Sequence, residues 1–213
     1  MKTAIILVLA TVATSLAQGD LNPPSGGPQP SMKTLQQVEP RIDLTAASSV
    51  LVSTNDPDFY YVIQRPGSYF LPQDRFAGGA AIGSTVKSSF VKITADNVTL
   101  DLQGFRLGQG SSGLPGAVAA RTAIEVSGDH VRIRNGSISE FETGVFGGAF
   151  VTVEDVSITQ CGTGIELGNY ARVRRCEVGD VSGGVGIEVG VGSMISDCVA
   201  ARIRGSADAV GIR

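Results

Sequence analysis

From about residue 120 the chain alternates apolar and polar residues in short runs. They read HVRIRNGSI (130–138), FVTVEDVSI (150–158), YARVRRCEV (170–178) and SMISDCVA (193–200). Apolar positions fall two apart rather than three and four, so each run predicts a strand and not a helix. Aligned, the runs place Asn135, Asp155, Arg175 and Asp197 in one column, with steps of 20, 20 and 22 residues. A parallel column of Gly-aliphatic phrases holds Ile124, Val145, Ile165, Ile187 and Ile212, with steps of 21, 20, 22 and 25. Short strands at this period, separated by Gly or Asn/Asp turns, mark a β-solenoid, in which a unit buries its apolar face only when the next one stacks on it.

The columns assign faces. Val131/Ile133, Val151/Val153, Ala171/Val173 and Ser193/Ile195 are expected to point inward. Arg132/Arg134, Thr152/Glu154, Arg172/Arg174 and Met194/Ser196 are expected to point outward. The Asn135 column sits where one strand bends into the next, and Asn and Asp tolerate the left-handed backbone of such a corner. Arg175 is the exception there. Beyond the corner Gly136, Val156, Cys176 and Cys198 turn inward, and Cys161 stands near a different corner. Upstream, FYYVIQ and SYFL read as strands on either side of a Pro66-Gly67 turn, and Val98, Leu100 and Leu102 share one face. A Gly-rich insertion over 108–116 follows.

The first residues change the picture. MKTAIILVLATVATSLA has a Lys at position 2, a short apolar stretch and small residues at Ser15 and Ala17, the pattern of a secretory signal peptide over 1–17. It is too short to predict a membrane span, so a secreted, periplasmic or cell-surface location is expected, with no transmembrane segment after cleavage. Residues 18–45 read as a Pro/Gly-rich leader followed by a short capping helix, with Ser31 as N-cap and Pro40 as stop. The solenoid is expected over 46–213. The chain ends at VGIR, inside the first strand of a further unit, which predicts a truncated solenoid or an open edge available for self-association.

The whole chain has 213 residues, 42% hydrophobic and 17% charged, with a net charge of −3. No basic stripe supports nucleic-acid binding. Three cysteines (Cys161, Cys176, Cys198) cannot form a disulfide scaffold, and Cys176 and Cys198 are expected as thiols in the core stack. Aromatic residues make up 6% with no Trp, and no aromatic-rich cleft is legible, although aromatic platforms are the usual grip on sugar rings.

The candidate chemistry lies in an outward column: Glu125, Phe146, Glu166 and Glu188, then Arg213. Neighbouring units stack at about 4.8 Å, so Glu166 and Glu188 should be adjacent. Two such carboxylates could supply an acid and a nucleophile, hold Ca²⁺, or form a plain solvated ladder. Arg134, Glu154 and Arg174 alternate in sign, as do Asp155, Arg175 and Asp197, which suits cross-strand pairing. His130 stands beside Asp129, but no Ser occupies a nucleophile elbow and no zinc partners are present. Asn97-Val-Thr and Asn135-Gly-Ser match the glycosylation sequon, and both Asn also suit turns.

The phrases ADNVTLDLQGF, DHVRIRNGSI, TGIEL and PGSYFL resemble secreted bacterial proteins with right-handed parallel β-helix repeats, of broadly pectate-lyase-like architecture. The resemblance spans about residues 59–213 and is specific for the fold, but that architecture hosts many activities. The catalytic signatures of its lyases and hydrolases are not among these phrases. The expectation is a noncatalytic protein whose flat outer face, the Glu125–Phe146–Glu166–Glu188 column included, binds a glycan, cell surface or partner. The alternative is a polysaccharide lyase or glycoside hydrolase acting on an acidic polysaccharide through Glu166 and Glu188. About five or six units, roughly 25–30 Å of stack, make a small frame for such an enzyme.

Overall fold

The computed structural model describes residues 41–46, 52–53, 59–78, 87–110, 120–205 and 209–213. The signal peptide and the capping helix expected before Pro40 lie outside the described residues, as does most of the Gly-rich insertion. Among the described residues every regular element is a strand and none is a helix.

The strands build two sheets, and nearly all neighbours are parallel. One sheet takes Phe59–Ile63, Lys87–Ile93, Ala120–Val126, Thr143–Gly147, Thr163–Leu167, Val185–Val189 and Val210–Ile212 in chain order. Val52–Ser53 pairs antiparallel with its first strand. The other sheet runs Ile42–Asp43, Gly67–Phe70, Val98–Asp101, Arg132–Ser139, Thr152–Thr159, Arg172–Arg174 and Met194–Ser196. Parallel pairing therefore starts ahead of residue 46 among the described residues. Beside this second path lie Arg75–Gly78, Arg106–Gly110, Glu177–Val181 and Val199–Ile203. The Pro66-Gly67 turn passes the chain from one sheet to the other, and the strand Arg106–Gly110 runs into what composition alone marks as insertion.

The register follows the sequence columns. Ile124, Val145, Ile165, Ile187 and Ile212 are consecutive partners, as are Ile133, Val153, Val173 and Ile195. The β-branched residues suit the pleat and fill the space between the sheets, and all but the last members of the two columns are buried. Ile212 has no strand paired beyond it among the described residues and is 43% exposed.

Each of the four repeats from His130 onward turns at three left-handed residues, five positions apart. The columns are His130, Phe150, Tyr170, Gly192; Asn135, Asp155, Arg175, Asp197; and Glu140, Gln160, Asp180, Arg202, all with positive φ. Every column advances by 20, 20 and 22 residues, which is the period seen in the sequence. The Gly before Val145, Ile165 and Ile187 has a steric cause, whereas a Cβ at Gly211 would meet only ordinary contacts. A Cβ at Gly164 would lie 2.3 Å from the Gly186 carbonyl oxygen and 2.4 Å from Val178 Cγ1, and Gly144 and Gly186 are as tightly enclosed.

Candidate functional site

The outward column of the first sheet stands in the order Lys92, Glu125, Phe146, Glu166, Glu188. Glu166 and Glu188 are direct neighbours, as the spacing predicts. Cations close both ends. Lys92 Nζ lies 2.8 Å from Glu125, Ser89 Oγ donates a further hydrogen bond to the same carboxylate, and Arg213 lies 2.8 Å from Glu188. Burial pushes the Glu125 pKa up, but the hydrogen bonds from Lys92 and Ser89, with the Lys92 charge, outweigh it and hold the group below the usual carboxylate range. Phe146, 44% exposed, separates Glu125 from the other two carboxylates. Among the described residues no three His, Cys, Asp or Glu side chains converge as a metal site would require.

The second sheet carries a charge ladder longer than the sequence suggests. Asp101, Arg134, Glu154 and Arg174 are consecutive partners. Arg134 lies 3.0 Å from Asp101, while Glu154 is 2.6 Å from Arg174 and 3.6 Å from Arg132. Glu154 is outward in register, yet only 6% exposed, because these long guanidinium side chains lie across it. Asp101 is buried in the same way and also accepts hydrogen bonds from the Gln103 backbone N–H and the Asn135 amide. At the corner, Arg175 grips Asp155 with two hydrogen bonds of 2.6 Å, which accounts for an Arg in a column of Asn and Asp. Those hydrogen bonds hold the Asp155 carboxyl below its usual range.

The cysteines are free thiols. Cys161 and Cys176 are buried, and burial pushes the Cys176 thiol up to about 11. Cys198 is its neighbour in the column, with its sulfur 3.5 Å from the Cys176 backbone nitrogen.

The feature absent from the sequence reading is the first corner column. Asn97, His130, Phe150, Tyr170 and Gly192 occupy equivalent places, each one residue ahead of an inward position or its register equivalent. The rings of His130 and Phe150 are 5.2 Å apart at 36°, and those of Phe150 and Tyr170 are 5.2 Å apart and stacked at 11°. His130 and Asp129 share no hydrogen bond among the described residues. The sequence shows no aromatic-rich cleft, and the structure adds an exposed aromatic stack at this corner. Phe150 is 41% and Tyr170 55% exposed, beside a shallow depression of about 380 Å³ lined by His130, Phe150, Thr152, Tyr170, Arg172 and Gly192. Three different residue types hide this column from a search for repeated letters. Its signal was the constant step of 20 residues between ring-bearing residues at the head of each alternating run.

The chain matches no family model, no curated protein and no solved structure.

Proposed function

We propose that the chain is a secreted right-handed parallel β-helix that binds an extended glycan, without catalysis, along its aromatic corner. Three stacked strand positions per repeat, left-handed corners five residues apart and in-register apolar columns support the helical coiling. Parallel crossover connections are right-handed in nearly all proteins. Secretion rests on the leader pattern of residues 1–17.

The observation that carries the binding role is a backbone one. His130, Phe150 and Tyr170 hold φ of 56°, 56° and 57°, a conformation that bulky residues adopt at a cost of roughly 1–2 kcal/mol each. Asn97 and Gly192 make the same corner in the flanking repeats, so the turn itself needs no ring. Stacking returns part of that cost, at about 0.5–1.5 kcal/mol per ring pair. Ring residues held in an unfavourable conformation on the rim of a depression, with a hydroxyl and a guanidinium beside them, have the composition of a recognition surface. Their rise of one strand per repeat matches a ligand that is itself a linear polymer.

The test is Phe150→Asn with Tyr170→Asn, which keeps a turn-compatible residue and removes both rings. Affinity electrophoresis in a panel of polysaccharides should show retardation of the parent and none of the double variant, with circular dichroism unchanged. Equal retardation of both proteins, or a folded parent that no polysaccharide retards, would refute the reading.

The hydrolase alternative is favoured by the direct apposition of Glu166 and Glu188. Against it, the two carboxylates point from one sheet face side by side, and a glycosidase needs them on opposite sides of the scissile bond. Arg213 also occupies Glu188. Release of reducing ends that vanishes in Glu166→Gln would restore that alternative.

A further inference from the structure

We infer that the glycan bound at the aromatic corner is anionic, and that Arg172 holds its acidic group. This inference rests on the glycan-binding reading above. Five arginines stand on the second-sheet strands and corner around the site. Four of them touch a carboxylate: Arg132 and Arg174 reach Glu154, Arg134 reaches Asp101 and Arg175 reaches Asp155. Arg172 is exposed, lies between Thr152 and Met194 in register, and makes no ion pair among the described residues. It is the one formally charged residue lining the depression besides the titratable His130, and no carboxylate lines it.

The rings point to the same chemistry. Stacking turns the faces of Phe150 and Tyr170 toward one another, and the Tyr170 ring also lies against Gly192, where a Cβ would be 2.7 Å from two ring carbons. The faces that would grip a neutral sugar are therefore largely spent on neighbours. What reaches solvent is mainly the ring rim, and an aromatic quadrupole is positive at its edge. Ring edges, the Tyr170 and Thr152 hydroxyls and an uncommitted guanidinium together favour an oxyanion. A carboxylate or a sulfate ester meets the planar fork of Arg172 with two hydrogen bonds, which a lysine could not reproduce.

The experiment is calorimetric titration of the full chain with three oligosaccharides of equal length, one neutral, one carrying uronate carboxylates and one carrying sulfate esters. The anionic ligands should bind about tenfold or more tightly than the neutral one, the scale of a charge-assisted hydrogen bond. Arg172→Gln should bring anionic binding down to the neutral level and leave the melting temperature unchanged. Arg172→Lys should retain the salt-sensitive part alone. The ratio between the uronate and sulfate ligands identifies which acidic group is read. Equal affinity for neutral and anionic ligands, or anionic binding untouched by Arg172→Gln, would overturn the inference while the glycan reading stands. Binding of none of the three would overturn both.

Discussion

The ring of Tyr170 rests on the backbone of Gly192, so closely that a Cβ at Gly192 would sit 2.7 Å from Cδ1 and Cε1 of the ring. Gly192 holds φ +75° and ends the ring column in the next repeat. Gly192→Ala therefore pushes the ring aside and strains the corner, and the ring yields more easily than the backbone. Expected is a stability loss of about 1–2 kcal/mol by thermal unfolding. A larger proportional loss of ligand binding should accompany it.

Gly164 gives a sharper packing test. Its added Cβ would strike the Gly186 carbonyl oxygen at 2.3 Å and Val178 Cγ1 at 2.4 Å, and the first of these is backbone that cannot rotate away. Gly164→Ala should cost about 1–3 kcal/mol in denaturant unfolding. Gly148, with nothing within 4 Å of its added Cβ, is the control, and Gly148→Ala should stay within about 0.5 kcal/mol of the parent.

Glu154 neutralises two arginines from a nearly closed position. Both partners are themselves partly exposed and can turn to water when it is removed. Glu154→Ala should therefore destabilise by about 1–3 kcal/mol, below the full penalty for breaking a deeply buried pair. Chemical denaturation measures it, and a value near zero would make the ladder decorative.

Glu125 predicts a pH effect with a definite sign. Its folded pKa is depressed, so its contribution is present above the unfolded carboxylate value and disappears as pH falls through the folded one. Glu125→Gln should be less stable than the parent at neutral pH, and the two unfolding curves should converge in acid below about pH 4. A gap that persists unchanged at acid pH would assign the loss to packing.

The sequence made the repeat readable because strand alternation and corner chemistry are both local. Ile133, Val153 and Val173 had to be apolar at a period of two, and Asn135, Asp155 and Asp197 suit the left-handed corner by residue type. The ring column was not readable in the same way, because Phe150 and Tyr170 are a poor statistical match to that conformation. Their kinship lies in position. The burial of Glu154 was hidden for another reason: alternation tells which way a side chain leaves the strand, not how far its neighbours reach across it. The neutralised ends of the Glu125–Glu188 column depended on Lys92 and Arg213, two long side chains from repeats at either end.

The most direct test of the binding surface is an amide NMR titration of the isotopically labelled chain with the acidic oligosaccharide. Shift changes confined to His130, Phe150, Thr152, Tyr170, Arg172 and Gly192 are the predicted result. Changes centred instead on Phe146, Glu166 and Glu188 would contradict the account and return the carboxylate face to the centre of the problem.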